Sequence, residues 1–254
     1  MVREIPVLPV YGERALKLGK TLVIADLHVG IEHEMKRQGA VIPSQTDVME
    51  DSIISLIEKT CAQRLVILGD VKHNIPSISL QEYREIPRLI ESLGKKIEVV
   101  VVKGNHDGNL EKLLPDVSIL DHLEIEGALL AHGHSWIKAE SIDAEVVVLA
   151  HSHPAIAFVD DFARTVKEPA WIKGRFKETL KEHYNVKELP GYIVIPAYNP
   201  LLSGAAFNQP SEKKLLGPYF TSGVIDLCMA RAYLLDGTDL GPFNTLKAAQ
   251  KEAQ

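Results

Sequence analysis

Apolar residues fall into short unbroken runs in this chain: residues 22–25, 65–68, 99–102 and 146–150, with 128–131 as a shorter one. Such runs are what a parallel sheet buried on both faces requires. Between the early runs the period changes to that of a helix. Val48, Ile53, Ile54, Leu56 and Ile57 lie mostly on one helical face, and Ser44 with Asp47 resembles a capping box, which predicts a helix starting at Ser44. Residues 79–93 predict a second amphipathic helix, closed by Gly94 and kinked at Pro87. Strands over 21–25, 64–68 and 96–102 with these helices between them give the order of a doubly wound sheet, whose catalytic groups gather at the carboxyl ends of strands. After His132 the pattern predicts strands over 145–150, 155–159, 192–195, 224–227 and 232–235 with few helices, a second and largely antiparallel sheet packed on the first. There is no internal repeat. Residues 209–214 read as a solvated loop and 245–254 as a short terminal helix that frays, a tail from about residue 244.

Each apolar run ends in ionisable groups: Asp26-Leu27-His28, Gly69-Asp70, Gly104-Asn105-His106-Asp107, His132-Gly133-His134 and His151-Ser152-His153. A charge at the end of a buried strand is expensive to desolvate unless it is paired or bound to a metal. One metal centre would explain all five strings. Asp26 and His28 flank Leu27, and strand alternation would turn both towards one cleft. The two oxygens of Asp70 could bridge two ions, Asn105 offers a neutral carbonyl oxygen, and His132, His151 and His153 offer imidazole nitrogens. Oxygen and nitrogen donors without thiolate suit manganese, iron or zinc better than a structural zinc cage. The last string lies in the later half of the chain, so one site joins both halves and residues 1–254 read as a single domain.

In order and in kind, these five strings resemble the calcineurin-like metallophosphoesterases, whose pattern is Asp-x-His, Gly-Asp, Gly-Asn-His-Asp/Glu, a lone His and Gly-His-x-His. The match runs from Asp26 to His153. The runs Gly69-Asp70-Val71-Lys72-His73 and His151-Ser152-His153-Pro154-Ala155 look most like the archaeal and bacterial branch related to the SbcD repair nuclease, the ICC-like phosphoesterases. One departure is Ala150, where most members have glycine; its methyl puts the local backbone angle in question. The resemblance implies an α/β fold, a four-layer α/β/β/α sandwich of two mixed sheets. It implies two divalent metal ions, Mn2+ first and iron, zinc or nickel as alternatives. One ion takes Asp26, His28, Asp70 and His153; the other takes Asp70, Asn105, His132 and His151.

A chemistry follows from those charges. Two cations about 3.5–4 Å apart clamp a phosphoryl oxygen and bring the pKa of a bridging water towards about 7, so hydroxide can attack phosphorus in line. The resemblance places His106 beside the metals and not on them, where it would protonate the leaving oxygen, and Asp107 would orient its imidazole. Lys72 and His73, just after the bridging carboxylate, are candidates to touch the substrate phosphate. His134 is the second histidine of its string, either supporting the first or facing phosphate. His33, His122 and His183 read as surface or packing residues.

Composition narrows the setting. A chain of 254 residues hides roughly 70–75% of its unfolded surface without needing disulfides. Cys61 and Cys228, far apart in sequence, read as core residues of a reduced protein. No run nears the roughly 18 apolar residues of a membrane span, and the first residues lack a signal-peptide pattern, so a cytoplasmic protein with no membrane partner is expected. The net charge of -6 argues against general affinity for nucleic acid. Locally, residues 164–187 are rich in Lys and Arg, with Trp171, Phe176 and Tyr184 interleaved. That combination could hold single-stranded nucleic acid by stacking, or be a solvated helix face with its aromatics turned inward.

The leading expectation is a metal-dependent phosphodiesterase, a nuclease related to DNA repair and working beside a helicase. A small-molecule phosphatase or cyclic-nucleotide phosphodiesterase is the alternative within enzymes, and a non-catalytic metal-binding scaffold the alternative outside them. The complete donor set and His106 favour an enzyme. Oligomeric state and natural substrate stay open.

Overall fold

The computed structural model describes residues 7–160, 162, 164–209 and 216–246. The first sheet contains β1 (Val7–Pro9), β2 (Leu16–Leu18), β3 (Thr21–Ala25), β4 (Arg64–Leu68), β5 (Glu98–Val102) and β6 (Ser118–Leu120), paired in that order. β3 to β6 run parallel; β1 and β2 add an antiparallel margin. Three helices accompany this sheet: α1 (Ile31–Arg37), α2 (Thr46–Thr60) and α3 (Leu80–Gly94).

Strand alternation divides the buried runs between two cores. Leu22, Ile24, Leu65 and Ile67 pack with Ile53, Leu56, Ile86 and Leu89 of the helices. Val23, Ala25, Val66 and Leu68 face the other way and meet Ala128, Leu130 and Val148 of a second sheet. That is why the sequence runs are unbroken: both faces are covered.

The second sheet holds β7 (Leu123–Ile125), β8 (Ala128–Ala131), β9 (Val146–Leu149), β10 (Pro154–Val159), β11 (Thr165–Arg175), β12 (Gly191–Val194), β13 (Ala205–Ala206), β14 (Arg231–Leu234) and β15 (Asp239–Pro242). It is mixed: β8, β9 and β12 are parallel neighbours, and β10 pairs in parallel with β13. Its outer face carries a third core of Leu129, Val147, Ile172, Tyr184, Tyr219 and Phe243. The layer covering that core is thin. It consists of 3₁₀ turns at Glu178–Glu182 and Leu227–Met229 and the four-residue helices α4 (Pro218–Thr221) and α5 (Phe243–Leu246).

Several local expectations are corrected. α2 begins at Thr46 after an uncapped Gln45; the Ser44 hydroxyl instead donates to Glu85 Oε2 at 2.8 Å and ties α2 to α3. The capping box forms at α3, between Ser79 and Glu82. Gly94 lies within α3, and Lys95 ends it. Residues 224–227 form no strand: Ile225 makes one bridge to Phe176, and the Asp226 side chain accepts from Cys228 N at 3.0 Å and turns the chain. α1 was not foreseen, because seven residues are too short for a clear period.

Residues 164–187 change most. They contribute the eleven-residue β11 and a 3₁₀ turn, and Trp171, Phe176 and Tyr184 are all buried. The aromatics therefore offer no stacking face to a nucleic acid. Cys61 and Cys228 are exposed, not core residues. Of the expected loop and tail, residues 210–214 and 247–254 lie outside the described residues. No described helix is long and apolar enough to cross a membrane.

Candidate metal centre

β3, β4, β5, β8 and β9 point their carboxyl ends to one place, and the five strings meet there. The strings are not continuations of extended strand. Asp26, His28, Asp70, His151 and His153 all hold positive φ, between 42° and 66°. Left-handed backbone is costly for residues with a Cβ and collects at functional sites. Asp26 and His28 thus face one cleft because the chain turns after β3, which corrects the expectation from strand alternation.

The turns are braced by the backbone. His28 N donates to Asp70 O at 2.8 Å, and Val29 N to Val71 O at 2.9 Å. Asn199, fully buried, donates through Nδ2 to Leu27 O at 2.7 Å. Nothing in the sequence pattern marked Asn199. Close approach is built in as well. A Cβ on Gly104 would overlap the Asp70 carboxylate, and one on Gly69 (φ +80°) would overlap the His132 ring. Ala150 is buried in the inter-sheet core without a positive φ, so its extra methyl is accommodated.

Asp26 and Asp70 are buried at 0% and 1% exposure. Asp26 Oδ1 lies 2.9 Å from His132 Nε2 and 3.4 Å from His153 Nε2. Asp70 Oδ2 lies 3.5 Å from His28 Nε2 and 3.4 Å from His132 Nε2, between the two groups. The donor atoms of Asp26, His28 and His153 lie within 4.8 Å of one another, as do those of Asp70, His132 and His151. Asn105 is exposed and shares a 440 Å³ cleft with His132, His134, Trp136, Lys103 and Lys138.

The electrostatics fit cation ligands. Burial pushes His28 well below the ordinary imidazole range and His151 down to about 3, so both rings are neutral with a lone pair to offer. Burial and His132 bring His134 to about 4. Burial raises Asp70, against the pull of His132. Burial would raise Asp26 too, but His153 and His132 overcome it and hold it ionised. Among the described residues, no Lys or Arg lies within ion-pair distance of either carboxylate. Among the described residues, His28 Nε2 and His153 Nε2 are buried without a hydrogen-bond partner. An ionised Asp26, a second buried carboxylate and unpartnered imidazole nitrogens are a donor set that divalent cations satisfy.

The remaining candidates are distributed differently. His106 N donates to Asp70 Oδ1 at 2.8 Å, and its ring Nδ1 meets the carbonyl of His73. Asp107 does not touch the His106 ring. Its carboxylate, fully buried, accepts from Val71 N at 2.8 Å, Lys72 N at 3.3 Å and Gly104 N at 2.8 Å. It staples the loop after β4 to the loop after β5, so orientation of the imidazole falls to another group. Burial, then the neighbouring Asp70, lifts the Asp107 carboxyl to about 6.

Lys72 is sealed at 0% exposure, its amine on the Asn74 carbonyl, so it does not face the cleft. His134 Nδ1 lies 3.0 Å from His132 Nδ1 and supports that ring while lining the cleft. His73 lines a second cleft of 500 Å³ with His106, Glu34, Arg37 and Gln38. Among the expected bystanders, His33 and His183 are exposed, and His183 stacks on Trp136 at 4.1 Å.

Residues 19–174 match the family model of the calcineurin-like phosphoesterases. The phosphodiesterase YfcE of Escherichia coli strain K12 is 30% identical over 119 residues, 42% of this chain and 63% of that protein. The chain thus spans less than two thirds of that relative's length. Among solved structures, the Pseudomonas putida nuclease MPE superposes with a TM-score of 0.57 at 19% identity, covering 89% of this chain and 92% of the other. That likeness is one of fold.

Proposed function

This chain belongs to the calcineurin-like phosphoesterase family, and on that premise we propose that it is a divalent-metal-dependent phosphodiesterase. The observation that supports the diester reading is a pair of clefts with different linings, one reaching the donor His132 and the other reaching His73 and His106 beside it. One, of 440 Å³, reaches Asn105 and His132; the other, of 500 Å³, reaches His73 and His106. A diester has two substituents on phosphorus and needs room for both, whereas a monoester needs room for one.

Asp26, His28, Asp70 and His153 would hold one ion, and Asp70, Asn105, His132 and His151 the other, with manganese the expected metal. When bound, such ions supply charge neutralisation at a phosphoryl oxygen and acidify water. The protein supplies the rest. The His73 carbonyl accepts from His106 Nδ1, so in the imidazolium form Nε2 is the atom that would deliver a proton to the leaving oxygen, leaving the neutral Nδ1–H ring behind. Asp70 Oδ1, by accepting from His106 N, keeps that ring in register with the donor cluster. Lys103 and Lys138 line the cleft beyond Asn105 together with Asp121, each lysine paired with a carboxylate, Glu111 and Asp121 respectively.

The test is a side-by-side assay of chelated protein reloaded with Mn2+, Fe2+, Zn2+ or Ni2+. Substrates are bis-p-nitrophenyl phosphate, p-nitrophenyl phosphate, nucleotides, cyclic nucleotides and oligonucleotides. Hydrolysis of diesters at higher kcat/KM than monoesters is expected. A monoester preference under every metal would overturn the diester reading, and no hydrolysis of any of them would overturn the enzyme. The oligonucleotide arm also tests the nuclease expectation, which no longer has the aromatic segment in its support.

A further inference from the structure

Three elements of the metal centre meet at His73. Its Nε2 lies 2.5 Å from Oε2 of Glu34 on α1, and its Nδ1 lies 3.1 Å from His28 Nδ1. Its backbone carbonyl takes the His106 ring nitrogen. Gln38, the residue just past the end of α1, donates to Glu34 Oε1 at 3.0 Å and fixes the carboxylate.

The protons in this chain have one consistent arrangement. His28 Nε2 is buried, has no hydrogen-bond partner among the described residues and faces Asp70 Oδ2 at 3.5 Å. If that nitrogen keeps its lone pair for a metal, the proton of the neutral ring must sit on Nδ1. Two facing Nδ1 atoms can share only one proton, so His73 Nδ1 is the acceptor and its own proton lies on Nε2. There it meets Glu34, a carboxylate that can only accept when ionised.

We propose that Glu34 is a positioning residue that acts through His73 to hold His28 in its Nδ1–H tautomer, presenting Nε2 to a metal ion. This rests on the assignment of His28 as a metal donor under the proposed function. Held at both ring nitrogens, His73 also keeps its carbonyl in place under His106, so one surface carboxylate steadies both a metal donor and the proton donor. Partners of this kind on ligating histidines fix tautomer and ring orientation. The ring atoms of His28, His73 and His106 also come within 4.8 Å of one another. Their hydrogen bonds make them a relay and not a separate ion site: the Nδ1 atoms of His28 and His73 face each other, and that of His106 is taken by a carbonyl.

The experiment compares wild type, Glu34→Ala and Glu34→Gln. Mn2+ binding to chelated protein is followed by calorimetry, and the His73 and His28 tautomers by long-range 1H–15N spectra of the metal-free and Zn2+-loaded protein. Glu34→Ala should weaken Mn2+ binding about 10–100-fold and move the His73 proton off Nε2. Glu34→Gln keeps an acceptor oxygen and should recover most of the affinity. Mn2+ affinities within twofold of wild type for both variants, with an unchanged His73 spectrum, would overturn the proposal. So would a third Mn2+ bound by wild type and lost in Glu34→Ala. Both readouts are independent of turnover, so a wild type that binds Mn2+ yet hydrolyses nothing would count against the proposed function while leaving the relay standing.

Discussion

The His106 ring donates through Nδ1 to the backbone carbonyl of His73, and the neighbouring Asp107 carboxylate turns away from it to three backbone N–H groups. A carbonyl orients the ring without adding charge, and under the proposed function Nε2 of the doubly protonated ring is the proton donor. His106→Ala should retain bound metal, measured by elemental analysis, while kcat on bis-p-nitrophenyl phosphate falls about 100- to 10,000-fold. Loss of metal together with activity would move His106 from acid to ligand.

Glu82 anchors the loop that carries Lys72 and His73. It is fully buried and accepts from His73 N at 2.9 Å, Asn74 N at 2.7 Å and Ser79 N at 2.5 Å. Burial alone would raise its pKa, but the bonds from Asn74 and Ser79 outweigh it and the carboxyl titrates below its ordinary 4.5. A depressed folded-state pKa means stabilisation that is present above the unfolded value and lost as pH falls through the folded one. Glu82→Ala should cost on the order of 3 kcal/mol at pH 7, since buried donors are left without acceptors. The Tm gap between wild type and Glu82→Gln should shrink as pH drops from 6 to 3; a gap that stays constant over that range would contradict the assignment.

Metal removal should weaken the fold as well as the activity. Asp26 and Asp70 are buried beside imidazoles and one backbone N–H each, without a Lys or Arg at ion-pair distance among the described residues, so a bound cation favours the native state. At a hundredfold excess of metal over its Kd the gain is about 2.7 kcal/mol, or roughly 5–10 °C in Tm for a chain of this size. Thermal melts of chelated protein with and without Mn2+ measure it, and identical melts would speak against a resident ion.

Gly104→Ala tests the closeness of the loops. The added Cβ would run into the Asp70 carboxylate and the Asp70 backbone N, and neither is the free end of a flexible side chain. Mn2+ affinity should fall at least tenfold while the far-UV spectrum stays native. Gly108→Ala, whose Cβ would meet nothing within 4 Å, is the matched control and should bind Mn2+ like wild type.

Much of the architecture was legible from pattern alone. β3 and β4 matched their predicted bounds because strands covered on both faces leave continuous apolar runs with abrupt ends. β11 was hidden: Thr165, Lys167, Glu168, Pro169 and Gly174 break any apolar run, and its pairing is settled by β10, β12 and β14 on its flanks. Asp107 misled for a related reason. Adjacency to His106 in sequence suggested contact, but three backbone donors compete for its oxygens and win.

The sequence by itself determined which chemistry gathers here, because an Asp or His ending an apolar strand must be paired with something once the strand is buried. It also determined that the ends converge, since parallel neighbours bring their carboxyl termini to one edge. Only the tertiary structure decided who supports whom: that His73 and not Asp107 holds His106, that Lys72 is sealed away, and that Glu34 reaches His73 from α1. These relations join residues tens of positions apart through hydrogen bonds of specific direction. Such bonds depend on the left-handed turns after the strands, which no hydrophobic period records.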